Sequence, residues 1–90
     1  MKKQVHVFYT GNVQGVGFRF TTEEIARELG ARGWVKNLRN GQVEVVAEAE
    51  EDIVKEFLNR IVKEFSRSIR DMDVHWQPAT AEFESFEIRF

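Results

Sequence analysis

"WVKNLRNGQVEVVAEA", residues Trp34 to Ala49, is the stretch on which the architecture turns. Two β-rich runs meet at Asn40-Gly41, the residue pair favoured in a two-residue type I′ turn. That turn would set Leu38 opposite Val43 and Asn37 opposite Glu44. A hairpin in the middle of a 90-residue chain leaves room for one further strand and one helix on each side, and both flanks carry the expected patterns.

Upstream, "QVHVFYT" alternates Val5, Val7 and Tyr9 with His6, Phe8 and Thr10, which is strand period. "FTTEEIARELG" changes period: Phe18, Ile25 and Leu29 fall on one helical stripe. Thr21 with Glu24 reads as a capping box, with Glu23 and Glu24 in the first turn, and Gly30 as the C-terminal stop. Downstream, "EEDIVKEFLNRIVKEF" repeats Ile53, Phe57, Ile61 and Phe65 every four residues, widened by Val54, Leu58 and Val62. Ile69, Met72, Val74 and Trp76 suggest a strand stopped by Pro78, with an irregularity near Arg70 or Asp71. "FEIRF" (Phe86, Ile88, Phe90) closes the chain as a short strand. The order βαββαβ predicts an α+β, ferredoxin-like sandwich in residues 1–90, a single domain: an antiparallel sheet with two helices on one face. Right-handed crossovers would set the first and third strands side by side in the middle. Such a fold hosts enzymes, carriers, RNA binders and sensors alike, so function must come from a site.

Composition narrows the classes. A hydrophobic fraction of 42% with eight Phe and two Trp is globular. A net charge of −2 gives no electrostatic footprint for nucleic acid, although Arg19, Arg32, Lys36 and Arg39 could gather into a basic spot. The absence of cysteine excludes disulfides, thiol nucleophiles and cysteine-ligated metals. "MKKQVHVFYT" lacks the apolar region of a signal peptide, and no apolar run is long enough to cross a bilayer. A cytoplasmic protein with no membrane or nucleic-acid partner is the expectation.

Between the first strand and the first helix stands "GNVQGVGFRF", Gly11 to Phe20. It is no P-loop, because Phe18-Arg19 follow its last glycine, and no dinucleotide fingerprint, because Phe20 stands where a third glycine is needed. It departs from the RNP1 pattern at Gln14 and Val16. What remains is physical. Glycines let backbone N–H groups converge, and a helix N-terminus adds unpaired donors and the positive end of a dipole. Arg19 at that end is unfavourable unless an anion lies between, and a guanidinium fork suits a phosphoryl group. The alternative at this point is a flexible turn followed by a surface arginine.

The stretch "GNVQGVGFR" followed by "GWVKNLRNGQVEV" closely resembles the acylphosphatase family, over somewhat more than half the chain. The resemblance implies a metal-independent hydrolase without cofactor. It would cleave the carboxyl–phosphate bond of a small acyl phosphate to carboxylate and phosphate. It implies a phosphate-binding loop of Gly11, Asn12, Val13, Gln14, Gly15, Val16, Gly17 and Phe18, with two catalytic residues. Arg19 would clamp the phosphate oxygens and Asn37 would hold the attacking water. Phosphate or another oxyanion should bind in the loop, and a monomer is expected. The rival is a non-catalytic acylphosphatase-like module that binds a phosphate-bearing ligand or serves in regulation; such a module should usually lose Arg19 or Asn37. His6 and His75 lack patterned partners and read as structural or surface residues. Trp34 and Trp76 read as core or sheet-face residues, with Trp34 near enough in sequence to Asn37 to border the site. Glu48 to Asp52 read as a solvated helix start, and Asn40 as a turn residue.

Overall fold

The computed structural model describes residues 1–90. Seven elements follow in the order β1 (Lys2–Gly11), α1 (Phe18–Leu29), β2 (Arg32–Asn37), β3 (Val43–Glu50), α2 (Glu51–Glu64), β4 (Ile69–Pro78) and β5 (Phe86–Arg89). The strands form one sheet in the order β4-β1-β3-β2-β5, so β1 and β3 do lie together in the middle. All pairs are antiparallel except β2 with β5, which is parallel. The expectation of an antiparallel sheet thus needs one amendment at its edge. The final strand runs beside β2 in the same direction because the chain crosses from β4, at the opposite edge.

Strand alternation sorts the side chains into two faces. Val5, Val7, Tyr9, Val35, Val43, Val45 and Ala47 point to one side and join Ile25, Ala26, Val54, Phe57 and Ile61 of the helices in a single core cluster. Aromatic rings close its two ends: Phe18 lies 4.6 Å from Phe65 and 5.0 Å from Tyr9, and Phe57 lies 6.0 Å from Phe86. Each fully buried Val, Ile or Phe contributes roughly 1.5–3 kcal/mol relative to exposure. No helix is long and apolar enough to cross a membrane.

Two local readings are corrected. The hairpin pairs Asn37 with Val43 and Lys36 with Glu44, one residue away from the expected register. Only Gly41 of the loop has positive φ (92°), whereas a type I′ turn needs it at Asn40 as well. The chain instead makes a three-residue loop, closed by Gly41 N–H donating to the Leu38 carbonyl (3.2 Å) and Leu38 N–H to the Gln42 carbonyl (2.8 Å). Asn40 is a turn residue as expected, its Oδ1 accepting from the Gln42 N–H at 3.0 Å. The second correction concerns α1. It starts at Phe18, behind a left-handed Gly17 (φ 80°), with no side-chain cap and no acidic residue in its first turn. Thr21 is therefore already inside the helix, its N–H bonded to the Gly17 carbonyl at 3.0 Å. Gly30 does stop the helix, at φ 76°.

The irregularity expected near Arg70 is present. Thr10 pairs with Asp71 and Gly11 with Ile69, leaving Arg70 as the extra residue of a bulge. Gly11 is required there: a Cβ would stand 2.3 Å from the Ser68 carbonyl oxygen and 2.7 Å from the Arg70 nitrogen.

Candidate active site

The bulge anchors the start of the glycine loop, since Asn12 N–H donates to the Ser68 carbonyl at 2.9 Å. Val13, fully buried, and Phe18, 2% exposed, pin the loop into the core at both ends. Between them Gly15 (φ 75°) and Gly17 (φ 80°) adopt left-handed backbone that other residues rarely tolerate. The N–H groups of Val13 through Phe20 donate to no protein acceptor. A run of free donors leading into a helix N-terminus is an anion-binding arrangement.

Opposite this loop, β2 ends at Asn37. Because β2 alternates, Asn37 shares the helix-side face with Val35, while Lys36 turns to the open face. The corrected register sets it beside Val43, a core residue, instead of beside Glu44. Three buried side-chain polar atoms have no hydrogen-bond partner: Tyr9 Oη, Thr22 Oγ1 and Asn37 Oδ1. Of these residues only Asn37 lines the cleft. Such an atom costs about 1–3 kcal/mol if left unpaired, so its placement calls for a ligand or water partner. Burial pushes the Tyr9 phenol well above its ordinary pKa, which keeps it neutral and inert.

Arg19 and Asn37 line one cleft of about 130 Å³, together with Val13, Gly15, Gly17, Phe18 and Phe20. At roughly 30 Å³ per water molecule in the liquid, that space suits a phosphoryl group and an attacking water. The Arg19 guanidinium has no carboxylate partner. Its one aromatic neighbour is the Phe90 ring, 5.0 Å away. Larger hollows lie elsewhere, one of about 400 Å³ lined by Lys3, Glu51, Lys55, Trp76, Gln77 and Pro78. No glycine lines that hollow, and its two lysines stand with Glu51, which is paired to Lys55 at 3.2 Å.

The expected loop residues divide by role. Val13, Gly15, Gly17 and Phe18 line the cleft; Gly11 and Asn12 form its root against β4; Val16 is exposed. The Gln14 side chain turns away to the hairpin, where Nε2 donates to the carbonyls of Leu38 (2.7 Å) and Gln42 (2.9 Å). That tether between the loop and the Asn37 hairpin was not legible from Gln14 alone, because both acceptors are backbone atoms of a distant segment. Phe20 and Phe90 were also missed as neighbours of the site. Trp34 does not border it: the ring lies on the open face under Arg89, 4.9 Å away. Arg32 and Lys36 do not join a basic spot with Arg19, since they alternate with core-facing Gly33 and Val35 and so lie on the other face.

Outside the cleft, one carboxylate departs from expectation. Glu48 is 7% exposed, not solvated. Burial pushes its pKa up, but donors from the Thr80 N–H and hydroxyl, Gln4 and the Ala81 N–H outweigh that and leave it below the ordinary carboxylate value. Its role is to hold the 80–81 segment against the open face. His6 Nε2 donates to the Glu44 carboxylate at 2.6 Å on that face, and His75 faces Asp73 at 3.0 Å. No three His, Asp or Glu side chains converge as a metal cage.

Comparison with known proteins adds family evidence. The acylphosphatase family model matches residues 5–88. A Trichormus variabilis acylphosphatase is 56% identical over 55 residues, covering 61% of this chain and about half (54%) of that protein. A Roseiflexus acylphosphatase is 40% identical over 86 residues, covering 94% of this chain and 92% of that one. The crystal structure of acylphosphatase from Bacillus subtilis superposes with a TM-score of 0.90 at 31% identity, over 98% of this chain and 99% of that one. With agreement in sequence and in fold across nearly all of its residues, the chain belongs to the acylphosphatase family.

Proposed function

We propose that this chain is a metal-independent acylphosphatase, a single-domain monomer of the cytoplasm that hydrolyses a small acyl phosphate at the cleft between the glycine loop and Asn37. One observation carries the reading. An arginine without a carboxylate partner and an asparagine with a buried, unpartnered oxygen line the same cleft, walled by a loop whose N–H groups from Val13 onward have no protein acceptor.

Phosphoryl transfer asks for positioning and charge stabilisation more than for covalent chemistry. The loop N–H groups and the Arg19 fork would hold the non-bridging phosphoryl oxygens, and both interactions strengthen as charge develops there. Asn37 has an amide that can donate and an oxygen that can accept, so it can hold a water in line with the scissile P–O bond. Water attacks phosphorus, the P–O bond to the acyl group breaks, and the acyl portion leaves as carboxylate, while phosphate takes the new oxygen together with the water's two protons and releases protons to solvent as the pH dictates. A carboxylate is a good leaving group, so no strong general acid is required. Arg19 in the first turn of α1 is then the cation that an anion between it and the N–H groups explains.

The test is turnover of benzoyl phosphate with chelator present, spontaneous hydrolysis subtracted, in wild type, Arg19→Ala, Arg19→Lys and Asn37→Ala. Each variant should fall by on the order of 10²–10³ while remaining folded. The lysine variant fails because a point charge cannot reproduce the fork. A folded wild type with no rate above background would reduce the cleft to an anion-binding site.

A further inference from the structure

The phosphate end of the proposed substrate leaves its acyl end undefined, and the rim of the cleft bears on it. Six large apolar side chains are exposed in the whole molecule: Met1, Val16, Phe20, Val62, Trp76 and Phe90. Three of them belong to this one site. Phe20, 68% exposed, lines the cleft directly. Val16 stands at the tip of the loop between the two lining glycines. Phe90 stacks on the Arg19 guanidinium.

Folding does not account for Phe20. The buried stripe of α1 is Phe18, Thr22, Ile25 and Ala26, and Phe20 lies two residues, some 200° of helical turn, from Phe18. A single exposed apolar residue needs no explanation. A phenyl ring facing the same cleft as the arginine and the asparagine, with two further apolar groups tied to that cleft, is a different case. The cleft is therefore two-part: N–H donors, Arg19 and the Asn37 amide within, and apolar surface at the mouth. A ligand that matches both has an anionic phosphoryl head joined to an apolar body.

We infer that Phe20, flanked by Val16 and Phe90, is the platform for the acyl portion of the substrate, and that the site favours aromatic or bulky aliphatic acyl phosphates over small ones. This rests on the proposed hydrolysis for its substrate, but not for its binding surface. Phe20 is then a specificity-determining residue. It touches neither phosphorus nor the attacking water, and acts by covering the apolar body of the ligand as it docks.

Two arms test it. In the first, kcat/KM is measured for benzoyl phosphate and acetyl phosphate in wild type, Phe20→Ser, Phe20→Leu and the control Val62→Ser, an exposed apolar residue outside the cleft lining. The benzoyl-to-acetyl preference should fall by about five- to tenfold in Phe20→Ser, from lost apolar contact. It should be largely kept in Phe20→Leu and stay at the wild-type value in Val62→Ser. In the second, phenylphosphonate and methylphosphonate, which cannot be hydrolysed, are titrated calorimetrically into the same proteins. Phenylphosphonate should bind tighter to wild type, and Phe20→Ser should erase that advantage. Turnover of both substrates with no dependence of preference on Phe20 overturns the platform and leaves the hydrolysis intact. Equal losses on both substrates overturn it too, by assigning Phe20 to the shape of the loop. No turnover, but a Phe20-dependent phosphonate preference, refutes the hydrolysis and supports the platform.

Discussion

Replacing Gln14 by Met separates the stability of this site from its geometry. The side chain keeps its length and loses two donated hydrogen bonds, to the carbonyls of Leu38 at 2.7 Å and Gln42 at 2.9 Å. A typical bond of this kind contributes about 0.5–1.5 kcal/mol net, so the pair sets an upper range of about 3 kcal/mol. Neither carbonyl is orphaned, because Leu38 still accepts from Gly41 and Gln42 from Leu38. The expected cost is therefore near the lower end, about 1–1.5 kcal/mol. Against a domain stability of roughly 5–15 kcal/mol, that leaves the protein folded at room temperature. Turnover should suffer more. Gln14 is the side-chain tie between the loop that leads to Arg19 and the hairpin that carries Asn37. A displacement of about 1 Å between reacting groups can cost on the order of 10²-fold. We expect kcat/KM on benzoyl phosphate to drop by about 10- to 100-fold, with the urea midpoint lowered only by the modest amount above. Full activity in a Gln14→Met protein that shows the stability loss would refute the tether. So would an activity loss that merely follows the folded fraction.

Three further outcomes can be checked by urea unfolding. Gly33→Ala should destabilise by at least about 3 kcal/mol, because its Cβ would stand 1.9 Å from the Val46 carbonyl oxygen at φ 147°, on a strand held between β3 and β5; a loss under about 1 kcal/mol would mean that β3 yields easily. Ala81 holds a left-handed φ of 59°, which costs a non-glycine residue about 1–2 kcal/mol, so Ala81→Gly should be neutral to stabilising by up to about 1 kcal/mol, and a clear loss would contradict this. Glu48 has its folded pKa below the ordinary value of 4.5. Its contribution is therefore complete above that value and is lost as pH falls from there through the folded pKa. Glu48→Gln should lower the midpoint at neutral pH and flatten its fall in acid, whereas an unchanged acid slope would show that the carboxylate does not latch the 80–81 segment.

Periodicity was enough for the elements, because Val5-Val7-Tyr9 and Ile53-Phe57-Ile61 each bury one face and repeat at the spacing that face demands. What escaped depended on backbone state or distant partners. Asn40-Gly41 fits two hairpin loops, and only the φ of Asn40 decides between them; the difference moves Asn37 from partnering Glu44 to partnering Val43. The start of α1 was misplaced because Gly17 begins it through conformation, with no capping side chain to read. Glu48 looked solvated because its donors at Thr80 and Ala81 lie in a segment without period. Arg19 was legible as a candidate because a cation at a helix start breaks a local rule; Asn37, by itself an ordinary strand-end residue, was singled out only through the resemblance that pairs it with the glycine loop. Phe20 followed no sequence signal, being one aromatic among eight phenylalanines.

The parallel pairing of β5 with β2 bears on how the protein is made. Arg32–Asn37 is flanked by β3 on one side, and its other side is covered only by the four residues Phe86–Arg89. During synthesis that flank stays bare after the hairpin has closed, and a bare strand edge recruits strands from other molecules. The strand that ends in Asn37 is thus the one most exposed to self-association until the last segment arrives. A substitution that detaches β5, such as a charge in place of the buried Phe86, would be felt first as lost yield of soluble protein and only second as lost turnover.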